Sequence, residues 1–364
     1  MPEFDQNNID LDQLAANIKN WGENLGFQRV SIIAPDLKYA SEKLKTWLDN
    51  KYHGSMDWMA KHEEKRCTPE KLVLGTIRVI SVRMNYLSDP NMIATLKDDN
   101  KAYISRYALG KDYHKIIRKK LGSLTKRIAE EIPKEQFNHR PFVDSAPVLE
   151  KPLAEQAGLG WIGKNTLLID KSVGSWFFLG EIYTSIPLPV DNAKEANLCG
   201  KCKACMNVCP TNAFPEPYVL DAKKCISYQT IENKGIIPKE LRTLMGNRVF
   251  GCDDCQIWCP WNRDPAITSE ELFQPRHKLD NASLLELFNW SESEFQEKTL
   301  GSPIRRIGYE RWLRNLAIGL GNAPGCSNIV KSLKARMVNS SEILKEHLHC
   351  CLLYTSDAAD EASS

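Results

Sequence analysis

Two cysteine runs constrain this chain more than any other feature. The first is Cys199-x2-Cys202-x2-Cys205-x3-Cys209 followed by Pro210, and the second is Cys252-x2-Cys255-x3-Cys259 followed by Pro260. The first has the spacing with which bacterial ferredoxins wrap cubane [4Fe–4S] clusters, and in two-cluster forms the fourth cysteine of each run ligates the other run's cluster. This part of the chain therefore has to fold about two inorganic cores lying close together. Such cores carry single electrons at low potential.

Two cubanes need eight thiolates, and the runs supply seven. One cluster takes Cys199, Cys202, Cys205 and the crossing Cys259. The other takes Cys252, Cys255 and the crossing Cys209, and Val249 stands where a full second run would carry its remaining cysteine. The eighth ligand must come from elsewhere, and Cys225, between the runs, is the nearest candidate. Cys67 and Cys326 read as buried small hydrophobes, and Cys350 and Cys351 receive no role. Zinc favours two separated cysteine pairs and disulfides an oxidising compartment, so both fit these runs less well.

At 364 residues the chain has room for two or three domains, and its net charge of +2 identifies no partner. Between Gly301 and Met337, however, Arg305, Arg306, Arg311, Arg314, Lys331, Lys334 and Arg336 face the single acid Glu310. The first residues show no signal-peptide pattern or twin arginine, and no apolar run approaches the roughly 18 residues of a spanning helix. The expectation is a cytoplasmic monomer without membrane contact.

Helical periodicity marks residues 10–25, 39–49 and 111–130, and β-rich runs occur at 29–34, 79–82, 166–170 and 176–184. Strands alternating with helices predict an α/β domain over 1–192. A ferredoxin-like α+β domain follows over 193–266. Residues 267–349 turn helical, with stretches 284–288, 294–298 and 311–320 that read as stacked, HEAT-like repeat pairs. Composition then shifts abruptly to acidic and small residues, so 350–364 reads as foreign sequence in place of the last helix's true end.

With these parts placed, several stretches resemble the epoxyqueuosine reductase family. They are Glu64-Lys65-Arg66, Arg106–His114 (RYALGKDYH), Val143–Glu150 (VDSAPVLE), Gly158–Asn165 (GLGWIGKN), Gly251–Gln256 (GCDDCQ) and Ser302–Arg306 (SPIRR). The resemblance implies a cobalamin-binding α/β domain, two [4Fe–4S] clusters and a C-terminal segment that helps to hold tRNA. It also implies reduction of the epoxide of epoxyqueuosine, at the tRNA wobble position, to the alkene of queuosine. It places Cys225 as the eighth ligand, Asp144 as general acid, and cobalamin contacts at Arg66, Ser105, Asp144 and backbone near Leu168 and Leu179. Some members of that family carry cysteine at the position of Ser105.

The chemistry asks for such groups. A strongly reduced cobalt centre is a potent nucleophile or electron donor, and an electron donor outside the chain must feed it through the clusters. Expelling an epoxide oxygen as water needs a proton donor, and burial beside an apolar cofactor face would suit a carboxyl to that task. Without the resemblance, Asp144 reads first as a turn-capping residue, hydrogen-bonded to Ser145 or nearby amides. Asp112-Tyr113-His114 lacks the glycine that completes the Asp-x-His-x-x-Gly signature of histidine-ligated cobalt, because Ile117 stands there. That leaves His114 as a satisfied helix-face residue or a support near the substrate. Lys234, Arg248, Arg305 and Arg306 are the candidate tRNA contacts, with Arg311 and Arg314 beside them, and Trp258 and Trp261 read as shields for a cluster. The alternatives are a small-molecule reductase of the reductive dehalogenase kind, a ferredoxin-type electron carrier and an RNA-binding iron–sulfur protein without redox catalysis.

Overall fold

The computed structural model describes the chain apart from residues 1–8, 90, 133–136, 192–194 and 362–364, with backbone alone over 354–361. Its centre is a four-stranded sheet of β1 (Arg29–Ile33), β2 (Arg78–Asn85), β4 (His139–Phe142) and β7 (Phe177–Thr184), ordered β1-β2-β7-β4. Every pairing in it is antiparallel. The alternation of strands and helices was expected to give an α/β layout. An intervening helix does not fix strand direction, though: the excursions from β1 to β2 and from β4 to β7 re-enter the sheet at the end they left, and only the one from β2 to β4 crosses to the opposite end.

Side chains of β7 alternate between two cores. Phe178 and Ile182 join Val30, Ile32, Ile80 and Val82 under the helices Leu11–Asn24 and Tyr113–Glu131. Phe177, Leu179 and Tyr183 face the other way, against Val148 and Leu153 at the helix Glu150–Gln156. Gly180 lets the long helix approach closely, since a Cβ there would stand 3.0 Å from both Ile117 and Leu121. With helices on both sides β7 is buried throughout, which makes the charged residue Glu181 within it conspicuous.

Local capping sets the helix that matters most. Asp112 accepts the His114 backbone N–H at 3.1 Å, satisfying an orphan donor of the first turn. Tyr113 and His114 are thereby fixed at the start of the helix Tyr113–Glu131.

Two short strands, β3 (Tyr103–Ile104) and β8 (Arg248–Phe250), pair in parallel and stitch the early chain to the second cysteine run. Ala102, Ile104, Ala108 and Leu109 share a core with Val249, Phe250 and the C-terminal helices as far as Leu348 and Cys351. Residues around 102–109 therefore cross the boundary expected at 192. The remaining strands, β5 (Trp161–Ile162) and β6 (Leu168–Ile169), form a small hairpin-like ribbon.

The C-terminal part is helical, with Glu342–Glu361 packed against both Gly308–Asn322 and Ser327–Met337. Cys350 and Cys351 are buried, and a Cβ on Gly321 would stand 2.9 Å from the Cys351 sulfur. The side chains of 354–361, and residues 362–364, lie outside the described residues. Cys326 is exposed and Cys67 half-buried, so neither is the buried hydrophobe expected of it.

Candidate functional site

The structure gathers eight cysteines into two groups. Burial pushes the Cys205 thiol up to about 11, and Cys259, Cys199 and Cys202 add to the rise. Cys252 and Cys255 are raised by burial and also feel Cys225, while Cys225 and Cys255 both feel Cys209. Thiols that hinder one another's ionisation require a cation to become thiolates together, and cluster iron supplies it. Among the described residues no three His, Cys, Asp or Glu side chains are arranged for a single metal ion. Cubane ligands stand at the corners of a wider tetrahedron, and the donor sets suit that group.

Side-chain-to-backbone bonds hold both runs. Lys164 Nζ donates to the Gly200 and Cys202 carbonyls at 2.6 and 2.8 Å. Asn165 donates to the Cys255 carbonyl at 3.1 Å. Trp261 packs with Cys199 and Cys259 and meets Trp161 edge-on at 5.3 Å, whereas Trp258 is 44% exposed.

Beside the second run opens a cleft of about 160 Å³ lined by Tyr113, Asp144, Glu150, Lys151 and Ser175 over an apolar floor that includes Leu168 and Leu179. Ser175 belongs to both sites, because its carbonyl accepts from Gln256 Nε2 at 3.0 Å and its hydroxyl from Asn262 Nδ2 at 2.9 Å. Gly174 permits this docking, for a Cβ there would overlap the Asn262 side chain.

Asp144 follows β4 and receives the Tyr113 hydroxyl at 2.5 Å. Its Oδ1 lies 2.7 Å from His114 Nε2, and His114 Nδ1 lies 2.7 Å from Asp112. The turn-capping alternative for Asp144 gives way to an acid–imidazole–acid chain. Burial alone would lower the His114 pKa, but the two carboxylates outweigh it and raise it to about 9. Both ring nitrogens are engaged, so His114 has none left to offer cobalt. The side chain of Asp144 is 37% exposed and meets polar partners on the protein side, where the sequence suggested an apolar neighbourhood.

The other expected residues separate. The apolar floor suits one flat face of a corrin, and Leu168 and Leu179 belong to it. Arg66 is buried under the Trp58 ring at 5.1 Å and is not part of the cleft wall. The hydroxyl of Ser105 donates to Asp253, which also accepts from Tyr103 at 2.9 Å and the Arg106 N–H at 2.8 Å, so that side chain is committed to the second cysteine run.

The basic residues divide likewise. Arg248 is held by Asp254 at 2.6 and 2.5 Å and offers little to a phosphate. Arg314 is fully buried and donates to the carbonyls of Gln229, Asn233 and Gly235. Arg305 and Arg306 are exposed, Arg306 pairing with Glu232 at 2.5 Å, and Lys234 lines a second cleft with Arg311. Reading by motif missed Tyr113, Glu150, Lys151, Lys164 and Glu181. A lone acid in the apolar run FFLGEIYT was the available signal for Glu181.

Clustered thiols docked through Ser175 onto a cleft with an acid–imidazole–acid chain define an iron–sulfur oxidoreductase. The family model described as a 4Fe-4S double cluster binding domain matches residues 198–262. Another, described as epoxyqueuosine reductase QueG, DUF1730, matches residues 66–145. An epoxyqueuosine reductase of Pseudomonas aeruginosa is 58% identical over 344 residues, covering 94% of this chain and 95% of that protein. One from Escherichia coli is 54% identical over 93% of this chain and 89% of its own. A crystal structure of a selenomethionine-labelled epoxyqueuosine reductase superposes with a TM-score of 0.81 at 25% identity, over 95% of this chain and 100% of that one. Another, with a tRNA-Tyr epoxyqueuosine-modified tRNA stem loop, gives 0.81 at 24% identity over the same shares. The chain belongs to the epoxyqueuosine reductase family.

Proposed function

We infer that this chain is the oxidoreductase that reduces epoxyqueuosine in tRNA to queuosine, with cobalamin in the cleft and two [4Fe–4S] clusters feeding it electrons. The observation that carries the site assignment is Ser175, which lines the acid-bearing cleft while bonding Gln256 and Asn262 around the second cluster's cysteines. An electron leaving that cluster has only a short protein path to the cleft.

Cobalamin, when bound, supplies a strongly reducing, nucleophilic metal centre. The chain's residues do the rest. Leu168 and Leu179 provide the apolar floor against the ring. Asp144 delivers the proton to the epoxide oxygen, and Tyr113 and His114 fix its carboxyl. Asp112 orients the imidazole and stabilises its charge. The net change is an epoxide, two electrons and two protons giving an alkene and water.

On the outer surface, the exposed Arg305, Arg306 and Lys234 support phosphate contacts to tRNA, and the C-terminal helices that carry the two arginines are read as a HEAT-like repeat segment. Nucleoside mass spectrometry of epoxyqueuosine-containing tRNA, after anaerobic incubation with cluster-loaded protein, cobalamin and a strong reductant, tests the reading. The expected product has lost one oxygen. Unchanged nucleoside from protein with full iron content would overturn it.

A further inference from the structure

The proposed reduction consumes two protons per turnover, and Asp144 carries one at a time. The structure places two further carboxyls behind it. Glu150 opens the helix Glu150–Gln156 and lines the same cleft as Asp144. Glu181 lies on the face of β7 that also carries Phe177 and Leu179, which line the cleft, and packs toward that helix. It is fully buried, and neither of its oxygens has a hydrogen-bond partner among the described residues. In register beside it, the hydroxyl of Ser81 is also buried and unpartnered. An ionised carboxylate in that position would be uncompensated, so Glu181 is held as the neutral acid.

We propose that Glu150 is a proton-holding residue that recharges Asp144 within each turnover, with Glu181 as the neutral acid behind it. This rests on the function proposed above. As the first C–O bond breaks, its electron pair stays on oxygen, which takes the proton from Asp144. Glu150 then reprotonates Asp144. As the second C–O bond breaks, the oxygen takes this proton and leaves as water, and the two electrons delivered through the clusters complete the C=C bond.

The charged surroundings agree. Glu150 faces Asp144 from the loop after β4, Tyr113 and His114 from the first turn of their helix, Glu181 from β7, and Lys151 on its own helix. Burial and Asp144 push it up to about 8, against the pull of Lys151 and His114. Burial, then Glu150 and Asp144, raise Glu181 well above the usual carboxylate range. Lys151 donates to the Thr166 carbonyl at 2.8 Å, and burial lowers its own pKa. Glu150 and Glu181 are therefore held as neutral acids at neutral pH.

Two measurements on cluster-loaded protein decide the matter. Infrared difference spectra between neutral and alkaline pH should show protonated-carboxyl bands, one lost in Glu150→Gln and another in Glu181→Gln. This readout requires no turnover, so it stands even if wild-type protein fails to convert the tRNA and the functional reading falls. For kcat, Glu150→Gln should slow turnover at least about tenfold. It should also move the alkaline limb from near pH 8 toward the His114 value near 9. Glu150→Asp should retain a limb of its own, which a purely structural role would not produce. Full iron content in each variant certifies the fold. An active wild type whose Glu150→Gln variant keeps both rate and limb, or loses no carboxyl band, overturns the proposal.

Discussion

Around the cysteines, several polar groups find partners: Lys164 and Asn165 satisfy backbone carbonyls, Arg248 neutralises Asp254, and three donors converge on Asp253. The neighbouring cleft gathers Asp144 and Glu150, and behind it Glu181 is buried without a hydrogen-bond partner among the described residues. The first region is arranged to hold its ligands still at low energetic cost. The second keeps groups in states that water would not favour, at a cost to stability that the large cores on either side of β7 offset. Rigidity around an electron carrier and tension around the proposed proton donor are different demands, and the boundary between them is the residue they share, Ser175.

The contrast can be broken most sharply at Asp144. Asp144→Asn should lower turnover by about 10²–10⁴-fold while leaving iron content and visible absorption as in wild type. A parallel loss of iron would mean that cleft and clusters are not separable. In the cluster region, Cys225→Ala should drop iron from about eight to about four atoms per chain, the content of one cubane. Retention of all the iron would remove Cys225 from the ligand set.

Stability measurements sharpen the comparison further. Arg314→Met strands three carbonyl acceptors, one buried and two half-buried, and chemical denaturation should register a loss of about 3 kcal/mol. His114 has a folded pKa raised to about 9 from 6.5. Its contribution is therefore fully present below about pH 6.5 and lost as pH rises through 9. The stability gap between wild type and His114→Gln should narrow over that window, and a gap that does not change with pH would argue against the Asp112–His114–Asp144 chain. The smallest effect belongs to Arg305→Ala. It should change stability by no more than about 0.5 kcal/mol, yet weaken tRNA binding and reduce its salt dependence by about one phosphate contact.

The sequence by itself determined the candidate ligands of the iron, since thiolate count and spacing are chemical requirements, and the shortfall at Val249 directed attention to Cys225. It also determined the helices at 11–24, 38–49 and 113–131, whose apolar stripes repeat at helical period. Asp144 was legible only through resemblance, because a lone Asp after a strand reads first as a turn residue. Tertiary structure decided the rest. Antiparallel pairing of β1, β2, β7 and β4 follows from where each excursion re-enters the sheet, which local periodicity does not encode. The same packing separated the basic residues, burying Arg314, binding Arg248 to Asp254 and leaving Arg305 exposed. The cleft itself joins residues from 113, 144, 150, 175 and 179, and only folding brings their fields within reach of one another. Spacing along the chain records bonds that must be made to a common ion; charge and burial are properties of the assembled interior.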